Sequence, residues 1–168
     1  MQKPTTVTVA MVFVASLILA AGAAVSLAQS ADFHSASASV ISSGALLVTW
    51  DERGLGNGGA DGNVHYVLTA DASAEYGCIN GGQKHPKASN KETVNGPLVG
   101  DITLPVSKNG RIIGSLTVGP LDAGDFSCPN GQTLVLGSVS YSNVTLTDTT
   151  NGSTADISGS FSRVFVNF

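Results

Sequence analysis

Charge is what this chain has least of. Asp, Glu, Lys and Arg make up 12% of its 168 residues and leave a formal net charge of −4. Nucleic acid needs a basic surface, and an anionic membrane attracts basic segments, so neither is supported as a partner. Aromatic residues stand at 6%, too few for the two aromatic girdles of an outer-membrane barrel. The Glu, Lys and Arg that cover helix surfaces are sparse, and beyond residue 28 no amphipathic helical segment of useful length occurs. There is no Gly-x-Ser-x-Gly, no phosphate loop and no dinucleotide fingerprint. Cys-x-x-Cys is missing, and His34, His65 and His85 do not stand at ligand spacing, so nothing points to a metal or another cofactor.

What is present begins with the leader. Residues 1–8 carry one positive charge, Lys3, and residues 9–27 carry no charge at all. Ser26-Leu27-Ala28 then places small residues at −3 and −1, the pattern a signal peptidase accepts, so cleavage after Ala28 is expected. The competing reading is an uncleaved anchor, since the uncharged run approaches spanning length. The expected organisation is a signal peptide over 1–28 and a single domain over 29–168. After cleavage no stable membrane insertion is expected.

Both cysteines, Cys78 and Cys128, lie in the mature part. An even count in an exported chain favours a disulfide over two free thiols or a metal pair. Between 64 and 78 the even positions read Val64, Tyr66, Leu68, Ala70, Ala72, Ala74, Tyr76 and Cys78, while the odd ones are mostly polar. Alternation of that length is a half-buried strand, with Cys78 on its inward face. Leu46, Val48 and Trp50 alternate in a second strand, Ile102, Leu104 and Val106 in a third, and Ile112, Leu116 and Val118 in a fourth. Ile157, Phe161 and Phe165 mark the last. Between Leu134 and Leu146 the phase slips, which one strand with β-bulges near Gly137 and Ser142 explains.

Asn-Gly pairs punctuate these runs, and their tolerance of positive φ suits tight turns. Lys108-Asn109-Gly110 predicts a hairpin between 101–107 and 111–118, and residues 150–153 predict a second between 144–149 and 155–166. The fold class is therefore all-β: an antiparallel β-sandwich of about seven strands, Ig-like in architecture, with one disulfide. Trp50 precedes both cysteines rather than lying between them, which departs from a true immunoglobulin domain.

Three segments carry a resemblance. They are Trp50-Asp51-Glu52-Arg53-Gly54-Leu55-Gly56, the run from Cys78 to Lys91, and Gly119-Pro120 with Phe126-Ser127-Cys128-Pro129-Asn130-Gly131-Gln132. Together they resemble uncharacterised small secreted proteins of actinobacteria and related bacteria. The resemblance implies a secreted β domain and supplies no activity.

Enzymatic chemistry finds little footing. Nucleophilic catalysis needs a Ser or Cys beside a base, yet the serines sit at outward strand positions and both cysteines are expected in the disulfide. Asp51 and Glu52 are adjacent on a strand and so point to opposite faces, and Asp122 with Asp125 reads as a turn. Two candidate binding features remain. Lys84, His85, Lys87 and Lys91 concentrate positive charge in a Gly-rich loop that could grip an anionic glycan, a phosphate or an acidic protein patch, or be a solvated surface. Trp50, beside polar neighbours, could stack on a sugar or form a protein hot spot, although its phase with Leu46 and Val48 places it in the core. The expected role is non-enzymatic: binding an extracellular glycan or protein, or building an extracellular layer.

Overall fold

A computed structural model describes residues 30–80 and 90–168. The leader with its cleavage site, and Lys84, His85 and Lys87 of the basic loop, lie outside the described residues. Eight strands follow in chain order: β1 (Asp32–Val40), β2 (Leu46–Arg53), β3 (Asn63–Asn80), β4 (Lys91–Pro105), β5 (Arg111–Val118), β6 (Gln132–Asp148), β7 (Thr154–Ile157) and β8 (Phe161–Val164). They form two antiparallel sheets. One has the order β1-β2-β5, and the other runs β4-β3-β6-β7 with β8 also paired to β6.

The sandwich closes because both sheets have one apolar face. Leu46, Val48, Trp50 and Ile112 of the small sheet meet Val64, Tyr66, Leu68, Val139, Tyr141 and Leu146 of the large one, all buried. Full burial of one such aliphatic side chain stabilises by roughly 1.5–3 kcal/mol. Trp50 pairs across strands with Gly114, and a Cβ on that glycine would come within 2.3 Å of the indole. The missing side chain is what leaves room for the ring against β5.

The long strand β6 carries both expected bulges. Its register with β3 passes from Ser138 opposite Glu75 to Leu136 opposite Tyr76, leaving Gly137 as the extra residue. A second shift falls between Thr145 opposite Thr69 and Ser142 opposite Asp71. There Asn143 adopts φ 50°, a left-handed conformation that Asn tolerates better than most residues. Each bulge restores the apolar phase, so Val139, Tyr141, Val144 and Leu146 all reach the core.

The eight strands agree with the expected sandwich of about seven; β1 was not among the runs named from sequence, and the terminal run divides at Gly159, with β7 paired to the end of β6 and β8 to Ser138–Tyr141 further back. Two expectations need correction. The expected hairpin between 101–107 and 111–118 is not one. Its turn closes, with Gly110 N donating to Ser107 O at 2.9 Å, but β4 pairs with β3 and β5 with β2. The connection crosses from sheet to sheet. Both strands have an apolar face, and facing each other across the core buries both, as the closeness of Gly100 to Val118 and of Gly114 to Leu104 illustrates. Trp50 is the second as a binding candidate: it lies in the core, as its phase with Leu46 and Val48 indicated, and at 2% exposure its ring is not offered to a sugar or a partner.

Cys78 and Cys128 are disulfide-bonded, with Cα atoms 5.6 Å apart. The bond joins the buried end of β3 to the segment leading into β6.

Candidate anion-binding cleft

At the end of the sandwich opposite the disulfide, β2 finishes in Thr49-Trp50-Asp51-Glu52-Arg53. Strand alternation sends Trp50 and Glu52 inward and Asp51 and Arg53 outward. The register of β2 with β5 sets Arg53 directly opposite Arg111, so two guanidinium groups flank one carboxylate. Arg111 donates from Nε to Asp51 Oδ1 at 2.6 Å and from Nη2 to Oδ2 at 2.8 Å. Arg53 donates from Nη2 to Asp51 Oδ2 at 2.8 Å and from Nε at 3.2 Å. The hydrogen bonds from Arg111 and then Arg53 hold the Asp51 carboxyl far below the usual carboxylate range, and Asp51 in turn raises Arg111. Asp51 and Arg111 are therefore both charged throughout the neutral range.

The surrounding loops fix this cluster. Leu55 is buried and its N–H donates to Gly110 O at 3.1 Å. Gly110 has φ +67°, and a Cβ there would sit 3.2 Å from the Gly56 backbone, so the two turns touch main chain to main chain. Ser107 Oγ bonds Asn109 Oδ1 and Arg111 O. Arg53, Gly54, Asn109 and Arg111 line a cleft of about 380 Å³, and Ser107, Asn109, Arg111 and Ile113 line an adjoining one of about 320 Å³. The Asp51 side chain is 11% exposed against 50% for Arg53 and 38% for Arg111. The carboxylate is therefore recessed and the cations face solvent. A guanidinium carries five N–H donors in a fixed fork. Each arginine uses two of them on Asp51, leaving three to meet an anion.

Behind the cleft, on the inward face, lies an acidic cluster. Glu52 and Asp148 are both fully buried. Glu52 accepts from Tyr66 Oη at 2.7 Å and from the Ser153 hydroxyl. Asp148 accepts from the N–H groups of Thr150 and Asn151 at 2.8 and 2.9 Å, and from Asn151 Nδ2 at 2.7 Å. Burial first, and then the Asp148 charge, raise the Glu52 pKa against the opposing hydrogen bonds from Ser153 and Tyr66. Neither carboxyl lines either cleft; Asp148 caps the β6–β7 turn, and Glu52 ties Ser153 of that turn to β2.

The residues singled out from sequence fare differently. Lys91 begins β4 and forms an ion pair with Glu75 at 3.2 Å, so it belongs to the sheet face rather than projecting with a loop. Asp122 accepts from Gly124 N at 2.8 Å in a turn, as expected. Asp51 and Glu52 do point to opposite faces. Arg111, the residue that completes the cleft, was legible only as the start of a strand. The Asp-x-Arg spacing that puts Asp51 and Arg53 on one face was the available signal. Among the described residues no group of three or more His, Cys, Asp or Glu could hold a metal ion, and no helix is long and apolar enough to cross a membrane. No family model, curated protein or solved structure matches the chain.

Proposed function

We propose that this chain is an exported, non-enzymatic binding domain that grips an anionic group between Arg53 and Arg111. The observation that carries the reading is the recessed Asp51, which fixes two solvent-facing guanidinium groups in one cleft of an otherwise acidic protein. Charge-assisted, forked donors of this kind suit carboxylate, sulfate or phosphate oxygens. Export is supported by the leader pattern of residues 1–28 and by the disulfide, which persists in oxidising compartments.

The test is binding to a poly-L-glutamate surface. Wild type should be retained at low ionic strength and released as salt rises, and Arg53→Gln with Arg111→Gln should weaken retention by at least about tenfold. A variant with Lys84, Lys87 and Lys91 changed to Gln separates this cleft from the basic loop. Retention lost in the lysine variant and kept in the arginine variant would move the site to the loop. Export is checked by intact-mass analysis of culture supernatant, where the mature chain should begin at or within a few residues of Gln29. Full-length protein confined to membranes would contradict it.

A further inference from the structure

We infer that the anionic ligand is an acidic peptide in extended conformation, added as a fourth strand along β5 with its carboxylate on Arg111 and Arg53 and an apolar side chain over Ile113. This rests on the cleft being an anion site and goes beyond it by naming the ligand class and the edge that binds it.

β5 is the terminal strand of its sheet, so alternate residues turn their N–H and C=O groups away from β2; those of Arg111 are taken by Ser107, and Ile113 and Ser115 come next in the alternation. Natural edges are normally guarded by Pro, Lys, bulges or shortness, and the other edges of this sandwich are. β4 carries Lys91, Pro97 and Pro105. β1 has an irregularity between Phe33 and Ser35, and β7 and β8 have four residues each. β5, with the sequence Arg-Ile-Ile-Gly-Ser-Leu-Thr-Val, has none of these protections and begins at the cationic cleft. Its outward residue Ile113 is 71% exposed. Ile113 stands two residues from Arg111, on the same face and beside the same cleft.

A peptide pairing antiparallel to β5 from Ile113 onward would set an apolar side chain opposite Ile113 and, where it leaves the edge at the Ser107 turn, an acidic one two residues further on the same face, toward Arg111. Strand addition supplies main-chain hydrogen bonds, and the alternating side chains supply selectivity. A glycan is less well served. Trp50, Tyr66 and Tyr141 are buried, and among the described residues neither cleft is lined by an aromatic ring that could lie against a sugar face.

The test uses the mature protein and a fluorescein-labelled heptapeptide, Thr-Val-Thr-Ile-Thr-Glu-Thr, followed by fluorescence anisotropy. Saturable binding is expected. It should weaken at least about tenfold in Arg111→Gln, in Ile113→Ser and with Lys in place of the peptide's Glu. A peptide N-methylated on the amides facing β5 keeps its charge and its side chains, and it should not bind. Ile113→Ser alters an exposed side chain and should leave the melting temperature within about a degree or two of wild type, as surface changes do. N-methylated peptide that binds as well as the parent would overturn strand addition. A sulfated glycan fragment that binds in an Arg111-dependent way while the heptapeptide does not would overturn the inference and leave the anion cleft standing. Failure of peptide, glycan fragment and poly-L-glutamate alike would overturn both. Concentration-dependent self-association abolished by Ile113→Ser, without peptide binding, would give the edge to a second copy and equally refute the inference.

Discussion

Two residues decide how tightly this sandwich can be altered. Gly114 leaves space for the Trp50 ring, and the nearest indole atom would lie 2.3 Å from an added Cβ. Overpacking of that kind typically destabilises by about 1–3 kcal/mol, so Gly114→Ala should lower the thermal midpoint by several degrees. An unchanged midpoint would show that the ring can shift freely. Glu52 is the other. Its folded pKa is raised above the ordinary 4.5, by burial first, so the folded state holds its proton more tightly than the unfolded chain. That contribution is fully present below about 4.5 and is lost as pH rises through the raised value. Asp51 works the opposite way. Its pKa is lowered from the ordinary 3.8 by Arg111 and Arg53, so its contribution is present above that value and is lost as pH falls through the depressed one. Glu52→Gln should therefore flatten the decline in thermal midpoint as pH rises above about 4.5. Parallel curves for variant and wild type would contradict the assignment.

At the level of elements, the alternation from Val64 to Cys78 already specified β3 and its inward face, because one buried face leaves no freedom in phase. The two bulges of β6 were legible for the same reason: a phase slip inside an otherwise apolar run has few other causes. The partner of β5 was not legible. Asn109-Gly110 guarantees a chain reversal, but whether the flanking strands pair side by side or face each other depends on which arrangement buries Leu104 and Leu116, and that is a property of the whole core. The cleft was hidden with it, since Arg53 and Arg111 meet only through the β2–β5 register. The disulfide can be tested at this scale too. It spans a sequence separation of 50 residues, and restricting the unfolded chain over such a loop adds roughly 4 kcal/mol on the chain-entropy account. Cys128→Ser should lower the thermal midpoint markedly, and non-reducing peptide mapping should find Cys78 and Cys128 joined. Two alkylatable thiols in the native protein would refute this.

Across the whole molecule the charges are unevenly placed. Acidic residues outnumber basic ones twelve to eight, yet Arg53, Lys108 and Arg111 gather at one end of the small sheet, around the turns that close it. The third arginine of the chain, Arg163, lies over the Phe165 ring at 5.3 Å and belongs to the large sheet. That separation provides an internal control. The arginine Nε–H correlations of ¹⁵N-labelled protein, followed by NMR during titration with poly-L-glutamate, report each guanidinium individually. If the cleft is the anion site, the Arg53 and Arg111 signals shift together and saturate while Arg163 stays in place. Equal movement of all three, or none, would contradict it.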